Sequence, residues 1–190
     1  SLNDYVTDVA EEVNSALNRG ENVHLEGTQG FYLSLYHGTY PYVTGRDTTA
    51  AAVCSECGVG PKRVDEVVLV LKSFVTRVGN GPLEGEMSKE EAEKNGLVER
   101  GTVTGRLRRA APFNFKMARR AAIVNGATQI AVTKLDVLFP ECSHARRREA
   151  LSNECLSFLR KIQDEAGVPV TMVGTGPEAE DTVYIGPEGL

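Results

Sequence analysis

The sequence predicts an α/β protein with a mainly parallel sheet flanked by helices. Short apolar stretches that suit buried strands alternate along the chain with amphipathic segments that suit helices. Hydrophobic residues make up 41% of the chain and charged residues 25%, so its 190 residues suffice for one substantial core. We therefore expect a single α/β unit over residues 1–190.

The predicted helices are bounded by residues that favour helix ends. Gly20 ends the first helix and Gly58 the second, while Ser88 and Glu91 form the pattern of a capping box before the third. Gly167 ends the last and longest helix. In chain order, the predicted helices cover residues 3–18, 48–57, 88–95, 114–125 and 146–166.

The predicted strands are short runs rich in β-branched residues. Residues 130–132 and 170–173 read as buried strands, and residues 22–26 alternate polar and apolar side chains as a strand does. Residues 64–75 are mostly Val, Leu and Phe, which favours a strand and leaves a buried helix as the alternative. Residues 27–47 have no sustained period and predict a long loop, which in a compact domain usually has a function.

Composition excludes several classes of protein. A net charge of −5 and a pI near 5.3 argue against bulk binding to nucleic acid or to a membrane surface. No apolar run approaches the length of a membrane span, and the start has no signal-peptide pattern. Four cysteines are too few for a disulfide scaffold, which favours a reducing compartment. We expect a cytoplasmic protein that binds neither nucleic acid nor membranes.

The tetrapeptide Thr133-Lys-Leu-Asp136 follows one of the predicted parallel strands. At that place open α/β sheets bind ligands. The Asp136 carboxylate suits the ring N–H and the exocyclic amine of guanine, and the stem of Lys134 suits the face of the base. The alternative is a chance tripeptide at the end of a strand. The chain has no Gly-x-x-x-x-Gly-Lys-Ser/Thr loop for phosphates. Residues 133–136 (the base reader) would thus bind the guanine base in a chain without a phosphate-binding loop, which indicates part of an enzyme.

A basic segment interrupts this acidic chain. Residues 99–120 contain seven basic residues and one acid, beside glycines and threonines. Arg106 and Arg108 are suited to hold a carboxylate or phosphate through paired hydrogen bonds. This pattern favours an anion site over its alternative, a solvated basic face.

Two loops in the first part of the chain also contain candidate ligand groups. Gln29 lies between two glycines, which let a backbone approach a ligand closely. Residues 37–44 are rich in hydroxyls, and Thr48 and Thr49 follow before a helix, where either a capping role or a phosphate contact is possible.

Six motifs in a fixed order resemble the adenylosuccinate synthetase family. They are Glu26-Gly-Thr-Gln-Gly30, His37-Gly-Thr-Tyr-Pro-Tyr-Val-Thr44, Thr76-Arg-Val-Gly79 with Gly81-Pro82, Thr104-Gly-Arg-Leu-Arg-Arg109, Thr133-Lys-Leu-Asp136 and Thr175-Gly-Pro177. The resemblance implies a GTP-using ligase with P-loop-NTPase-like architecture, incomplete in this chain. Such a ligase serves purine biosynthesis by joining inosine monophosphate (IMP) to L-aspartate, giving adenylosuccinate, GDP and phosphate.

The resemblance also implies roles for individual residues. IMP would be bound by Gln29, Thr44, Val78 and Arg106, with Gln29 at the oxygen that becomes phosphorylated. Aspartate would be bound by Thr104, Arg106 and Arg108, in a loop that closes over it. GTP would be bound by Arg108, Lys134, Leu135, Asp136, Gly174, Thr175 and Gly176.

Other motifs of the family do not occur here. Its Gly-Asp-Glu-Gly-Lys-Gly loop provides the catalytic base and a magnesium ligand, and its Gly-His-Asn-Ala-Gly-His segment provides the general acid. We therefore expect the carboxyl-terminal part of a homodimeric enzyme, with the Mg²⁺ ligands in an amino-terminal segment, no metal site in this chain, and no activity of the isolated chain. The chain also departs from the family at Arg46, Asp47 and residues 110–113, to which we assign no role.

Several residues have simpler interpretations. Cys54 and Cys57 have metal-ligand spacing, but no second pair follows them. His24 and His37 are expected to be structural, and residues 146–148, three arginines, to lie on a solvated surface or an interface. Two alternatives to the ligase remain: a non-catalytic guanine-nucleotide-binding module and an unrelated α/β scaffold.

Overall fold

The computed structural model describes residues 1–101 and 105–190. The chain divides into two compact units, Ser1–Val67 and Val68–Leu190, each considered by itself. Helices and a mixed, mostly parallel sheet confirm the predicted α/β class. The single unit over residues 1–190 stays a prediction.

The first unit contains two α-helices and long connecting loops. Helix α1 spans Val9–Asn18 and α2 spans Ala50–Glu56. Asp8 caps α1 by accepting the N–H of Glu11 at 3.0 Å, so the helix begins later than residue 3, and a short 3₁₀ turn precedes it. Thr49 caps α2, which confirms the capping interpretation for that residue.

The predicted strand at residues 22–26 is wrong. The alternation of partly buried and exposed side chains is present, but these residues pair with no strand in the part of the chain that the structure describes. A strand requires a hydrogen-bonding neighbour, and polar alternation does not provide one.

The second unit is built on a four-stranded sheet. Its strands are β1 (Val68–Lys72), β4 (Gln129–Thr133), β5 (Val170–Gly174) and β6 (Thr182–Tyr184), in the order β1-β4-β5-β6. The first three are parallel and β6 runs antiparallel to β5. A second sheet pairs β2 (Val75–Arg77) with β3 (Arg109–Ala111) in antiparallel fashion.

Four α-helices lie in the described residues of this unit. They are α3 (Lys89–Lys94), α4 (Phe115–Asn125), α5 (Leu135–Leu138) and α6 (Asn153–Ala166). Ser88 and Glu91 form the predicted capping box of α3. The main core packs β4 and β5 against α6, and its fully buried side chains include Ile130, Leu159 and Ile162.

Tertiary structure modifies two of the predicted elements. The run 64–75 is divided, because β1 ends at Lys72 and the chain enters a different sheet at Val75. The last helix begins at Asn153 rather than at residue 146, because Ser152 accepts the N–H of Cys155 and caps it there. The three arginines therefore precede this helix.

Candidate functional site

The candidate site begins where the three parallel strands end. The register aligns Lys72 of β1 with Thr133 of β4, so the residues that follow each strand lie at one edge of the sheet. Ser73, which is fully buried, donates its N–H to the Thr133 carbonyl at 2.9 Å. Its hydroxyl donates to the Lys134 carbonyl at 2.6 Å. The end of β1 thus fixes the backbone on which the candidate base reader lies.

The backbone of the base reader turns sharply. Lys134 has a φ of 65°, a left-handed conformation that is uncommon outside glycine, and it is the residue before α5. Leu135 is fully buried in the core and exposes no surface to a ligand. The turn leaves the Lys134 side chain exposed and places Asp136 in the first turn of α5.

The Asp136 carboxylate is an available acceptor. It is half-buried, and no described residue donates a hydrogen bond to it. A carboxylate needs donors when it is partly removed from water. The N–H groups of a guanine base provide two such donors, side by side.

The segment after β5 is held by a buried carboxylate. Asp181 is 1% exposed, and its Oδ2 lies 2.9 Å from His144 Nδ1. The same oxygen accepts the N–H of Glu178 at 3.3 Å, and the Asp181 carbonyl accepts the N–H of Thr175 at 2.8 Å. A side chain at Gly176 would bring its Cβ within 2.3 Å of Asp181 Oδ2, so glycine is required there.

Thr175 also has a structural role. Its fully buried hydroxyl lies 2.7 Å from the Ala145 carbonyl and 3.0 Å from the Asp181 carbonyl. A hydroxyl used in this way is not free for a ligand. At this edge of the sheet the backbone of Gly174 and Gly176 remains partly exposed.

The basic segment forms a hairpin stem. Arg100 and Leu107 form an isolated antiparallel bridge, and Arg108 donates its N–H to the Glu99 carbonyl at 2.8 Å. Gly101 donates its N–H to the Arg106 carbonyl at 2.9 Å. Thr104, predicted to bind aspartate, lies outside the described residues.

Glu99 joins this stem to the ends of the strands. Its Oε2 lies 2.9 Å from Lys72 Nζ and 3.1 Å from an Arg108 guanidinium nitrogen. The Thr76 hydroxyl lies 3.4 Å from the same oxygen. Burial alone would raise the pKa of Glu99, but Lys72, Arg108 and Lys134 hold it below its ordinary value.

Lys72 is affected by the same charges. Burial lowers its pKa, and the charges of Arg108 and Lys134 act in the same direction, whereas Glu99 raises it. Arg108 of the hairpin and Lys134 are therefore both close enough to Lys72 to affect its pKa. Positive charge gathers at this edge of the sheet around the Glu99 carboxylate.

The loop after β2 presents Val78 to solvent. Its side chain is 45% exposed. Arg77 donates to the Asn80 carbonyl at 2.9 Å, and Arg109 donates to the Gly79 and Gly81 carbonyls at 2.9 Å. Two arginines on paired strands thus fix the loop that carries this apolar side chain.

In the first unit, Gln29 and Thr44 lie in ordered loops. Gln29 is exposed with a φ of 75°, and the N–H of Thr44 donates to the Leu33 carbonyl at 2.8 Å. The loop between them is fixed by Ser34, which donates its hydroxyl to Asp47 at 2.7 Å. Gly38 is required, because a Cβ there would approach the Ser34 carbonyl to 2.4 Å.

Sequence reasoning missed the residues that hold this site. Glu99, Lys72, Ser73 and Asp181 support the predicted ligand contacts, and none was singled out. Glu99 had a usable signal, because it is the single acid in a run of seven basic residues. The others lie at strand ends or in a loop without any distinctive pattern.

Two findings concern what the described residues do not contain. Among residues 1–101 and 105–190, no helix is both long enough and apolar enough to cross a membrane. In the same residues, no three His, Cys, Asp or Glu side chains come together as metal ligands.

Comparison with known proteins identifies a family. The sequence profile described as adenylosuccinate synthetase matches residues 1–141. The adenylosuccinate synthetase of Methanocaldococcus jannaschii is 55% identical over 96% of this chain and 53% of its own length. That of Archaeoglobus fulgidus is 51% identical over 100% of this chain and 56% of its own length.

Two solved structures resemble the fold. A fully ligated adenylosuccinate synthetase from Plasmodium falciparum superposes with a TM-score of 0.90 at 26% identity, covering 96% of this chain and 55% of its own. A succinoaminodeoxyadenylate synthetase of cyanophage S-2L, bound to dGMP and to dATP as an energy donor, has a TM-score of 0.70 at 28% identity, covering 92% and 49%. The chain thus spans about half the length of the relatives it matches.

The buried Asp181 carboxylate predicts a specific loss of stability in acid. Burial by itself would raise its pKa, but the hydrogen bonds from His144 and the Glu178 N–H, with the charges of His144 and Arg146, hold the pKa below its ordinary value. The stabilisation is therefore complete above the ordinary carboxyl pKa of about 3.9 and is lost as pH falls through the lowered value.

We expect Asp181→Asn to be less stable than the parent at pH 7, with a shallower loss of stability below about pH 4. Urea denaturation midpoints measured from pH 7 to pH 3 check this. Asp164→Asn, at an exposed position of α6, is the matched control and should follow the parent curve. Parallel curves for parent and Asp181→Asn would show that this carboxylate is not linked to folding.

Proposed function

Because the chain belongs to the adenylosuccinate synthetase family, we propose that it contributes the substrate-binding part of a GTP-dependent ligase that joins IMP to L-aspartate. The observation that carries the proposal is the half-buried Asp136 carboxylate, for which no described residue is a hydrogen-bond partner, at the carboxyl ends of three parallel strands. Products of the reaction are adenylosuccinate, GDP and phosphate.

In this proposal the base of GTP is read by Asp136. Its two oxygens accept the ring N–H and the amino group of guanine, and the exposed Lys134 stem covers the base plane. This proposal is supported by the left-handed backbone at Lys134, whose carbonyl accepts the Ser73 hydroxyl at the carboxyl ends of the strands. The partly exposed backbone of Gly174 and Gly176 is proposed to border the pocket, and the fully buried Leu135 and Thr175 are proposed to support it from behind.

Specificity for guanine must come from the site rather than from the fold. The cyanophage relative is described with dATP as its energy donor, yet shares the architecture. A purine that lacks the paired donors leaves a partly buried carboxylate without partners, which is strongly unfavourable. We therefore assign the choice of guanine to Asp136.

The hairpin that carries Arg106 and Arg108 is proposed to bind L-aspartate, together with Thr104. A dicarboxylate suits guanidinium groups, because each planar group can donate two parallel hydrogen bonds. Arg108 also lies near the charge of Lys72, at the strand ends where the nucleotide would bind. The same arginine is therefore assigned to GTP as well.

For IMP we propose contacts from Gln29, Thr44, Val78 and Arg106. Gln29 donates to the base oxygen that accepts the phosphoryl group, and the Thr44 hydroxyl binds the 5′-phosphate. The exposed apolar side chain of Val78 suits the face of a ribose. Transient phosphorylation of the base oxygen turns it into a leaving group that the aspartate amine displaces.

The magnesium implied by the family has no set of carboxylate ligands among the described residues. We propose that these ligands, the catalytic base and the general acid lie in a segment of the enzyme outside this chain. The whole enzyme is proposed to be cytoplasmic and homodimeric. A second candidate function is a non-catalytic module that retains guanine-nucleotide binding. It is supported equally by the Asp136 carboxylate, which has no hydrogen-bond partner among the described residues.

The first prediction separates these two functions. The isolated 190-residue chain should form no adenylosuccinate from IMP, GTP, Mg²⁺ and aspartate, because proton removal and phosphoryl transfer need a positioned base and metal. Chromatographic detection of adenylosuccinate measures this. Product above background would contradict the prediction. Recovery of activity on adding the amino-terminal segment of a family member would exclude the non-catalytic module.

The second prediction tests the base reader. In the complete enzyme, Asp136→Asn should weaken the use of GTP by about 2–4 kcal/mol, or tens- to hundreds-fold, since paired hydrogen bonds in a partly buried pocket are lost. Activity with xanthosine triphosphate should rise, because an amide can donate to the carbonyl of xanthine. Steady-state kinetics with each nucleotide varied are the measurement. An unchanged KM for GTP would remove Asp136 from this role.

The third prediction tests the arginine hairpin. Arg106→Leu in the complete enzyme should raise the KM for aspartate and lower kcat, with a loss of about 2–4 kcal/mol from the missing paired hydrogen bonds. Arg106→Lys should restore little, because a point charge cannot reproduce the planar group. GTP affinity should change more for Arg108→Leu than for Arg106→Leu. If aspartate kinetics are normal in all three variants, the segment is a solvated basic face.

A further inference from the structure

The charged cluster consists of the Glu99 carboxylate and its three donors, Lys72, Thr76 and Arg108. The proposed reaction gives Glu99 no role. Its side chain is 18% exposed, and those of Lys72 and Arg108 are 29% and 33% exposed. One oxygen, Oε2, is the acceptor for Lys72, for Arg108 and for the Thr76 hydroxyl. Charge-assisted hydrogen bonds of this kind are stronger than neutral ones and hold their donors in place.

The partners of Glu99 belong to different elements of the fold. Lys72 is the last residue of β1 in the large sheet, whereas Thr76 belongs to β2 in the small sheet. Arg108 lies on the stem of the hairpin, directly before β3. Glu99 therefore connects the hairpin to the edge of the large sheet at which Lys134 lies, and Lys134 is near enough to affect the pKa of Glu99.

Arg108 is held at only part of its guanidinium group. Its Nε is buried and has no acceptor among the residues that the structure describes, while a terminal nitrogen binds Glu99. A buried donor without an acceptor is unfavourable. Because the side chain as a whole is 33% exposed, the remainder of the guanidinium is available to the substrate carboxylate or phosphate that Arg108 is proposed to bind.

We propose that Glu99 is a positioning residue of the ligase site, which holds Arg108 with donors directed at the substrate anion and ties the hairpin to the end of β1. This inference rests on the proposed function for its substrates. Glu99 itself does not contact the reacting atoms. It acts through Arg108 and Lys72, and its removal changes where these cations lie before substrate arrives.

The neighbouring arginine provides a matched comparison. Arg109 forms an ion pair with Glu86, and it also donates to the carbonyls of Gly79 and Gly81. Arg109 is thus anchored by several acceptors, and its carboxylate partner is 39% exposed. The Glu86 carboxylate pairs with an arginine that fixes a loop, whereas the Glu99 carboxylate pairs with an arginine proposed to bind substrate.

Kinetics of the complete enzyme test the proposal. Glu99→Gln should raise the KM for aspartate about tenfold, since a neutral amide loses the charge-assisted bonds to both cations. Glu99→Asp, which retains the charge, should recover part of this loss. In an Arg108→Ala background, Glu99→Gln should raise the KM for aspartate by much less than tenfold, because Arg108, the partner of Glu99 that is proposed to bind aspartate, is absent. Glu86→Gln, the control, should leave that KM within about twofold of the parent, as expected where an exposed pair is lost.

A purely structural role for Glu99 makes different predictions. It would lower the thermal midpoint of Glu99→Gln while the KM for aspartate stayed at the parent value. Additive effects of the two substitutions on that KM would also overturn the proposal.

A crystal structure of Glu99→Gln provides a readout that does not depend on activity. Displacement of the Arg108 guanidinium supports positioning, and an unmoved guanidinium overturns it. If the parent enzyme made no adenylosuccinate, the proposed function would fail while this structural comparison still decided the role of Glu99.

Discussion

Parallel pairing of β1, β4 and β5 is the constraint on which the candidate site depends. Hydrogen bonding between parallel strands brings their carboxyl ends to one edge, and the register places Lys72 directly beside Thr133. From there the Ser73 hydroxyl reaches the Lys134 carbonyl, and the backbone turns into α5 with Asp136 in its first turn. A shift of one residue in that register would reverse the face on which each side chain lies.

Polar residues at this edge divide between supporting the structure and remaining available to a ligand. Ser73, Thr175 and Asp181 are almost fully buried, and their side chains bond to neighbouring backbone or to His144. Asp136 is partly accessible, and no described residue is its hydrogen-bond partner. This division is what a binding site requires, because ligand groups must find acceptors whose geometry is already fixed.

The charged side chains at this edge are arranged around the Glu99 carboxylate. Lys72, Arg108 and Lys134 lie close enough for each to affect the pKa of the single carboxylate of Glu99. A cluster of cations without a counter-ion would repel itself and hold its side chains apart. One partly buried carboxylate keeps these cations together at the place where nucleotide and aspartate are proposed to bind.

Sequence patterns by themselves determined the local parts of this protein. The apolar run of β4, the caps of α2 and α3, and the end of α6 at Gly167 depend on neighbouring residues. The ordered motifs that resemble the family are likewise a property of the sequence. Tertiary structure alone decided what lies far apart in the chain. Residues 22–26 found no strand partner, and the run 64–75 was divided between two sheets. The partners of Glu99 are drawn from strands and a hairpin up to 27 residues away, because an ion pair forms between whichever charges the folded backbone brings together.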